Sequence, residues 1–303
     1  MNSSFSRRQF VGGVAAVGAS AFVSRDLVAE SGPRLKVGYA SITWGSAERQ
    51  AIDDISSLGY KGIQMRNNAV TDFKPEDLRG LLEQHNLKFV ALSSGDVSLD
   101  LPDASRQLDM HVSNAKFVKS VDGLYLQVLD QLKPYPRKTT PDECVRLGKL
   151  LTELGKRVSD VGVKLGYHNH MNTISEHPEN LQRVMDASDP RYVGLLLDTA
   201  HYVAGGGDPV QAIVHYRDRL LFLHLKDVVD IPLDTPGAKY PFKFVELGRG
   251  RVDLPAVMGA LRKTGFDGWA VVELDRVPDK SRTPKECAEI SKEYLENQLH
   301  LKV

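Results

Sequence analysis

Four short apolar runs in the second half of the chain each lead to a residue able to hold a metal or move a proton. This recurrence limits the fold more than any other feature. Val193–Leu197 stops at Asp198, Leu220–Asp227 contains His224, Trp269–Asp275 contains Glu273, and Lys164–His168 ends on a histidine. Runs of this length are too short for the core of a helix and lack the alternation of a half-exposed strand. They read as strands buried on both faces, the kind found in parallel sheets wrapped by helices. In such folds the chemistry gathers at the C-terminal ends of the strands.

The first half continues the pattern, with strands predicted at Leu35–Ile42, Tyr60–Met65, Leu87–Ser93 and Gly123–Leu129. Helical spacing separates them at Ala51–Leu58, Pro75–His85 and Ser105–Val118. Thr140-Pro141-Asp142-Glu143 then opens a helix in the expected way, with a threonine cap, proline at the first position and acids in the first turn. Further helices are predicted at Pro178–Ala187, Val210–Tyr216, Pro255–Thr264 and Pro284–Gln298. Eight strand and helix pairs predict a closed (β/α)8 TIM barrel, an α/β fold, as one catalytic domain over 34–303. An open doubly wound sheet is the alternative, but Gly45-Ser46-Ala47 after the first strand lacks the glycine-rich turn such sheets usually carry. Val228–Val252, with three prolines, is too long for a plain connection and reads as a lid or substrate loop.

Lys+Arg and Asp+Glu both number 39, so no net field attracts nucleic acid or an anionic membrane. Cys144 and Cys287 have no metal-binding or disulfide spacing and are expected to be unpaired, half-buried thiols. The first thirty residues differ from the rest. Ser6-Arg7-Arg8-Gln9-Phe10 precedes the small-residue apolar run Val11–Val23, which resembles a twin-arginine export signal. Residues 1–30 are therefore expected to be signal and linker, with the twin-arginine (Tat) translocase as a partner and a periplasmic or exported destination.

Asp198, His224 and Glu273 converge on the barrel axis in this reading, and a mixed oxygen and nitrogen set suits one divalent ion, Mn, Co, Mg or Zn. In Tyr167-His168-Asn169-His170 the two histidines point the same way, and His168, deeper in the strand, or else His170, completes the set. Tyr39 and Trp44 could stack on a sugar face, while Gln64, Arg66, Asn67, Ser94 and Gln127 could bond hydroxyls.

Several motifs carry a family resemblance: Gly166-Tyr-His-Asn-His170 with Glu176, Gly194-Leu-Leu-Leu-Asp-Thr-Ala-His201, Gly205-Gly-Gly-Asp-Pro209, His224-Leu-Lys-Asp227, Gly248-Arg-Gly-Arg-Val-Asp253 and Gly268-Trp-Ala-Val-Val-Glu273. They resemble the sugar phosphate isomerase/epimerase superfamily, the xylose isomerase-like barrels, with the nearest look to inosose dehydratases. The resemblance implies a metal held at the ends of strands five to eight. Asp198, His224 and Glu273 match three of the positions, and His168 stands where the epimerases have glutamate. It further implies Glu273 as proton carrier, His201 beside the substrate, Lys226 in the strand-seven motif, and Arg249 or Arg251 shaping the loop over the substrate. On residue chemistry His168 is a ligand or acid/base, and Trp44 and His170 are further substrate contacts.

With one carboxylate of the epimerase pair replaced, one-faced chemistry becomes more credible than symmetric epimerisation. The leading expectation is a metal-dependent carbohydrate isomerase or epimerase that forms an enediolate. A dehydratase or keto-glycoside lyase is the alternative, and a non-catalytic periplasmic sugar-binding barrel is a third reading. Partners are a small carbohydrate, no nucleic acid, and a further copy of the chain if it oligomerises.

Overall fold

The computed structural model describes residues 35–132 and 138–303, which belong to one compact unit, Gly32–Val303. The export-signal expectation for residues 1–30 lies outside the described residues. The strands are β1 (Lys36–Ala40), β2 (Gly62–Arg66), β3 (Lys88–Val97), β4 (Tyr125–Asp130), β5 (Lys164–His168), β6 (Val193–Asp198), β7 (Leu220–Leu225), β8 (Asp227–Asp230), β9 (Phe242–Val245) and β10 (Trp269–Val272). Eight of them close into a barrel of parallel strands in the order β1-β10-β7-β6-β5-β4-β3-β2. The predicted (β/α)8 TIM barrel is the fold observed.

Helices α1 (Glu48–Ser57), α2 (Ala69–Asp72), α3 (Pro75–Gln84), α4 (Ser105–Ser120), α5 (Pro141–Asp160), α6 (Pro178–Ala187), α7 (Thr199–Ala204), α8 (Pro209–His215), α9 (Leu254–Thr264) and α10 (Pro284–Asn297) connect the strands. Two begin with a full capping box, Thr140 with Glu143 and Thr283 with Glu286. None of the described helices is long and apolar enough to cross a membrane. Cys144 and Cys287 are free but fully buried, more so than their charged flanks suggest.

Side-chain parity positions the site. Along a strand, residues two apart share a face, so Phe222 and His224, Leu196 and Asp198, and Gly166 and His168 each point inward together. Leu196, Phe222, Trp269 and Val271 form one buried cluster with Ala40, Val90 and Ala91, and Tyr125 stacks on Phe222 at 4.9 Å. A Cβ on Gly166 would sit 3.3 Å from the Phe222 ring, so a small residue fits this layer. The polar residues form the next layer toward the C-terminal end of the barrel.

Three boundaries differ from expectation. β1 stops at Ala40, and a 3-10 turn, Ser41–Trp44, follows. β3 runs on through Ser94-Gly95-Asp96 to Val97 with a register shift, Gly95 taking φ +92°. Between β7 and β10 the predicted loop contains an antiparallel hairpin, β8 with β9, so Asp227 starts a new strand.

Candidate metal and proton-transfer site

Ligand atoms of His168, Asp198, His224 and Glu273 lie within 4.8 Å of one another, and all four residues are buried. That is close to the spacing of ligand atoms about 2.0–2.2 Å from a shared ion. Asp198 and His224 are register partners across β6 and β7, and Glu273 follows β10 with its N–H donating to Leu225 O at 3.1 Å.

Each donor is aimed by a second contact. The Asp198 carboxylate is divided: Oδ1 accepts the His201 N–H at 2.8 Å and so caps α7, while Oδ2 is buried without a hydrogen-bond partner. Asn169 clamps the same strand end, its Oδ1 accepting Asp198 N–H at 2.8 Å and its Nδ2 donating to Asp198 O at 3.2 Å. His224 Nε2 donates to Gln64 Oε1 at 2.9 Å, and Gln64 Nε2 donates to Gln127 Oε1 at 2.9 Å. This chain orients the ring so that Nδ1 faces the site, the arrangement usual for metal-binding histidine. Nδ1 lies 3.5 Å from Asp198 Oδ2 and 3.3 Å from Glu273 Oε1 without an aligned hydrogen bond. His168 Nδ1 is also buried and unpartnered. Three orphaned polar atoms beside a buried carboxylate are costly unless a ligand satisfies them, and this donor set fits one divalent cation.

The charges agree. Burial pulls the His224 pKa down, but Glu273 and Asp198 outweigh it and push it up to about 9. Burial would raise Glu273, yet His224 and Lys226 hold it well below the usual carboxylate range. Burial and then His224 and His170 keep His168 well below its ordinary value. The two carboxylates thus concentrate positive charge where the ligand atoms meet.

Lys226 is fully buried next to this set. Its Nζ donates to Glu273 Oε1 at 2.9 Å and to Asp275 Oδ1 at 2.5 Å, and lies 3.7 Å from Asp198 Oδ2. Burial alone would lower its pKa, but Asp275, Glu273 and Asp198 raise it, so it is an ammonium. His201 Nδ1 lies 3.1 Å from the Met171 N, and its Nε2 lies 3.2 Å from Lys226 Nζ. Phe244, from the hairpin, covers both, 4.2 Å from Nζ to its ring centre and 4.6 Å from the His201 ring.

His170 lies past the end of β5, its Nδ1 donating to Met171 O at 2.7 Å and its ring 3.7 Å from that of His201. With His168 and His201 it makes a second, overlapping group of possible ligands. Replacing each histidine by alanine separates the two groups. His168→Ala is expected to lose bound metal on elemental analysis while His170→Ala retains it. Gln64→Leu removes the acceptor that orients His224, so metal affinity is expected to fall about 10- to 100-fold in a competition titration.

A cavity of about 220 Å³ opens beside Glu273, walled by Gln64, Arg66, Asn67 and Ser93. Several predicted sugar contacts lie elsewhere. The 3-10 turn swings Trp44 off the barrel axis toward α1, where its indole N–H donates to Asp54 at 2.8 Å and its ring meets Tyr39 edge-on. Trp44 and the fully buried Tyr39 are core residues, not a sugar platform. Ser94 bonds His111 and Asn114 on α4, and Gln127 supports Gln64. Arg249 sits 3.8 Å from Glu246 Oε2 and does not line the cavity. Sequence reasoning missed Asp275 and Phe244. Asp275 carried a signal, two residues beyond Glu273 at the same strand end, whereas Phe244 is brought in by the hairpin.

Residues 52–298 match the family described as xylose isomerase-like TIM barrel. The chain belongs to that family. Among its relatives, the inosose dehydratase of Lacticaseibacillus casei is 29% identical over 299 residues, covering 88% of this chain and 98% of the relative. The rhizopine catabolism protein MocC of Rhizobium meliloti is 27% identical, covering 86% and 87%. Among solved structures, the IolI protein with a bound zinc atom superposes with a TM-score of 0.70 at 21% identity, covering 87% of this chain and 97% of that one. An L-ribulose 3-epimerase gives a TM-score of 0.71 at 15% identity, covering 88% and 95%. The inosose dehydratases are similar to this chain in sequence, whereas the likeness to the epimerase is one of fold.

Proposed function

We propose that this barrel dehydrates a small polyhydroxy ketone, with Glu273 as the base and Lys226 as the acid. The observation that carries the reading is the 2.9 Å hydrogen bond between Lys226 Nζ and Glu273 Oε1, which puts an acid and a base in contact within one buried site. A divalent ion held by His168, Asp198, His224 and Glu273 would polarise the substrate carbonyl and acidify the adjacent C–H.

Glu273 takes the proton from the carbon alpha to the carbonyl, and the C–H pair becomes the double bond of an enediolate. The enediolate re-forms the carbonyl and expels the β-hydroxyl, which takes a proton from Lys226 and leaves as water. Glu273 is then protonated and Lys226 neutral, and their hydrogen bond returns the proton. Lys226 offers a donor for the oxygen where charge develops, and Phe244 shields it from water. The length of the match to inosose dehydratases supports the same reading.

Isomerisation or epimerisation shares the first step and is the second reading, supported by the fold likeness to sugar epimerases. Export to the periplasm by the Tat translocase remains part of the proposal on the N-terminal motif alone. Incubating metal-loaded protein with keto-inositols and ketoses in deuterated water separates the reactions. Loss of water from the substrate is the expected result. Deuterium at the alpha carbon with no change of formula would instead make it an isomerase or epimerase, and binding with neither event would make it a sugar-binding barrel.

A further inference from the structure

The cavity beside Glu273 has two unlike walls. On one side stands Glu273, hydrogen-bonded by Lys226 Nζ at 2.9 Å. On the other side is Arg66, at the end of β2, with Asn67 next to it. Arg66 Nη1 donates to Gly45 O at 3.2 Å, which ties the guanidinium to the first βα loop. No carboxylate of the described residues lies within ion-pair reach of it. Glu48 is buried with both carboxylate oxygens unpartnered, and burial raises its pKa against the pull of Ser41 and Arg66.

Arg66 therefore brings an unpaired positive charge to the wall of the cavity that Glu273 also lines. A planar guanidinium with most of its donors unused matches the two oxygens of a carboxylate. The cavity, at about 220 Å³, is below the roughly 300–1,000 Å³ of drug-sized pockets and suits a single small ring or short chain.

We propose that Arg66 and Asn67 form an anion subsite, and that the substrate is a small polyhydroxy ketone carrying a carboxylate on the side away from Glu273. This deepens the proposed dehydration and rests on it for the placing of the ketone. A neutral polyol could also bond Arg66 through its hydroxyls, so the test turns on charge.

Three matched probes serve: L-sorbose, the keto acid in which its C6 primary alcohol, remote from the ketone, is a carboxylate, and the phosphate ester at the same C6 oxygen. Calorimetry on the metal-loaded protein is expected to show the keto acid binding at least about tenfold tighter than L-sorbose, a difference of about 1.4 kcal/mol. In Arg66→Gln the ratio should collapse to about one, while Arg66→Lys keeps part of it. Arg66 is exposed, and a thermal melt confirms that each variant folds. The proposal is overturned by equal affinities in the unaltered protein, by no binding of the keto acid, by a ratio that survives Arg66→Gln, or by a phosphate ester that binds tighter than the keto acid. Alpha-proton exchange in deuterated water, read on the same samples, keeps the two ideas apart. Discrimination without exchange would sink the proposed reaction and leave the subsite, and exchange without discrimination would do the reverse.

Discussion

Glu273→Gln should lower turnover and alpha-proton exchange by about 10²- to 10⁴-fold, the range that a positioned acid or base supplies. The change is isosteric, so packing at the end of β10 is preserved. What is lost is the negative charge that faces His224 at 3.3 Å and Lys226 at 2.9 Å. The amide cannot accept the alpha proton, and it offers a neutral ligand in place of an anionic one. Lys226 keeps Asp275 at 2.5 Å, so no ammonium is left buried without a partner, and the variant should still melt cooperatively. Exchange is measured by NMR in deuterated water, with metal content from elemental analysis of the same sample. Activity within a few-fold of the unaltered protein would show that the proton is moved elsewhere.

The barrel was legible because each element carries its own local signal. Val193–Leu197 is short, apolar and ends abruptly at an acid, as a strand buried on both faces does, and Thr140-Pro141-Asp142-Glu143 combines the cap, proline and acids that open a helix. Inward-facing parity then follows from one strand-end residue, so Asp198, His224 and Glu273 could be set on the axis before any contact was known. Trp44 was misread for the opposite reason. A 3-10 turn of four residues reverses the direction of a side chain, and Ser41–Trp44 carries no proline or glycine to announce it.

Gln64 shows a subtler limit. Its place at the cavity was visible, but its work is to accept a hydrogen bond from His224, 160 positions away in the chain. Long-range pairing of that kind leaves no mark in local spacing. The same holds for the hairpin, whose Phe244 reaches Lys226 only because β8 and β9 fold back over the barrel mouth.

That fold-back is organised by Asp227, and its removal should be the largest single loss of stability at the site. The fully buried carboxylate accepts four backbone N–H groups: Val228 at 2.9 Å and Val252 at 3.0 Å on Oδ1, and Gly248 at 3.0 Å and Gly250 at 2.8 Å on Oδ2. Gly250 passes so close that a Cβ there would collide with the carboxylate, and Gly248 has φ +79° with the Tyr294 ring against its open side. The Gly248-Arg-Gly-Arg-Val motif is thus shaped to wrap one acid. Asp227→Ala leaves these donors without an acceptor, a cost of about 3–5 kcal/mol if each contributes its usual net share. At roughly 2–4 °C per kcal/mol for a chain of this size, the melting temperature should drop by about 6–20 °C.

Asp227→Asn is the sharper variant. Its amide nitrogen must face two N–H donors, so the near-isosteric change should cost almost as much as alanine. Because Lys226 is the preceding residue and Phe244 pairs in register with Val228, limited proteolysis between 228 and 252 should speed up in both variants as the hairpin loosens. An asparagine variant that melts within a degree or two of the unaltered protein would show that the charge on Asp227 does not hold the hairpin down. The cover over Lys226 would then rest on the aromatic contacts of Phe244 alone.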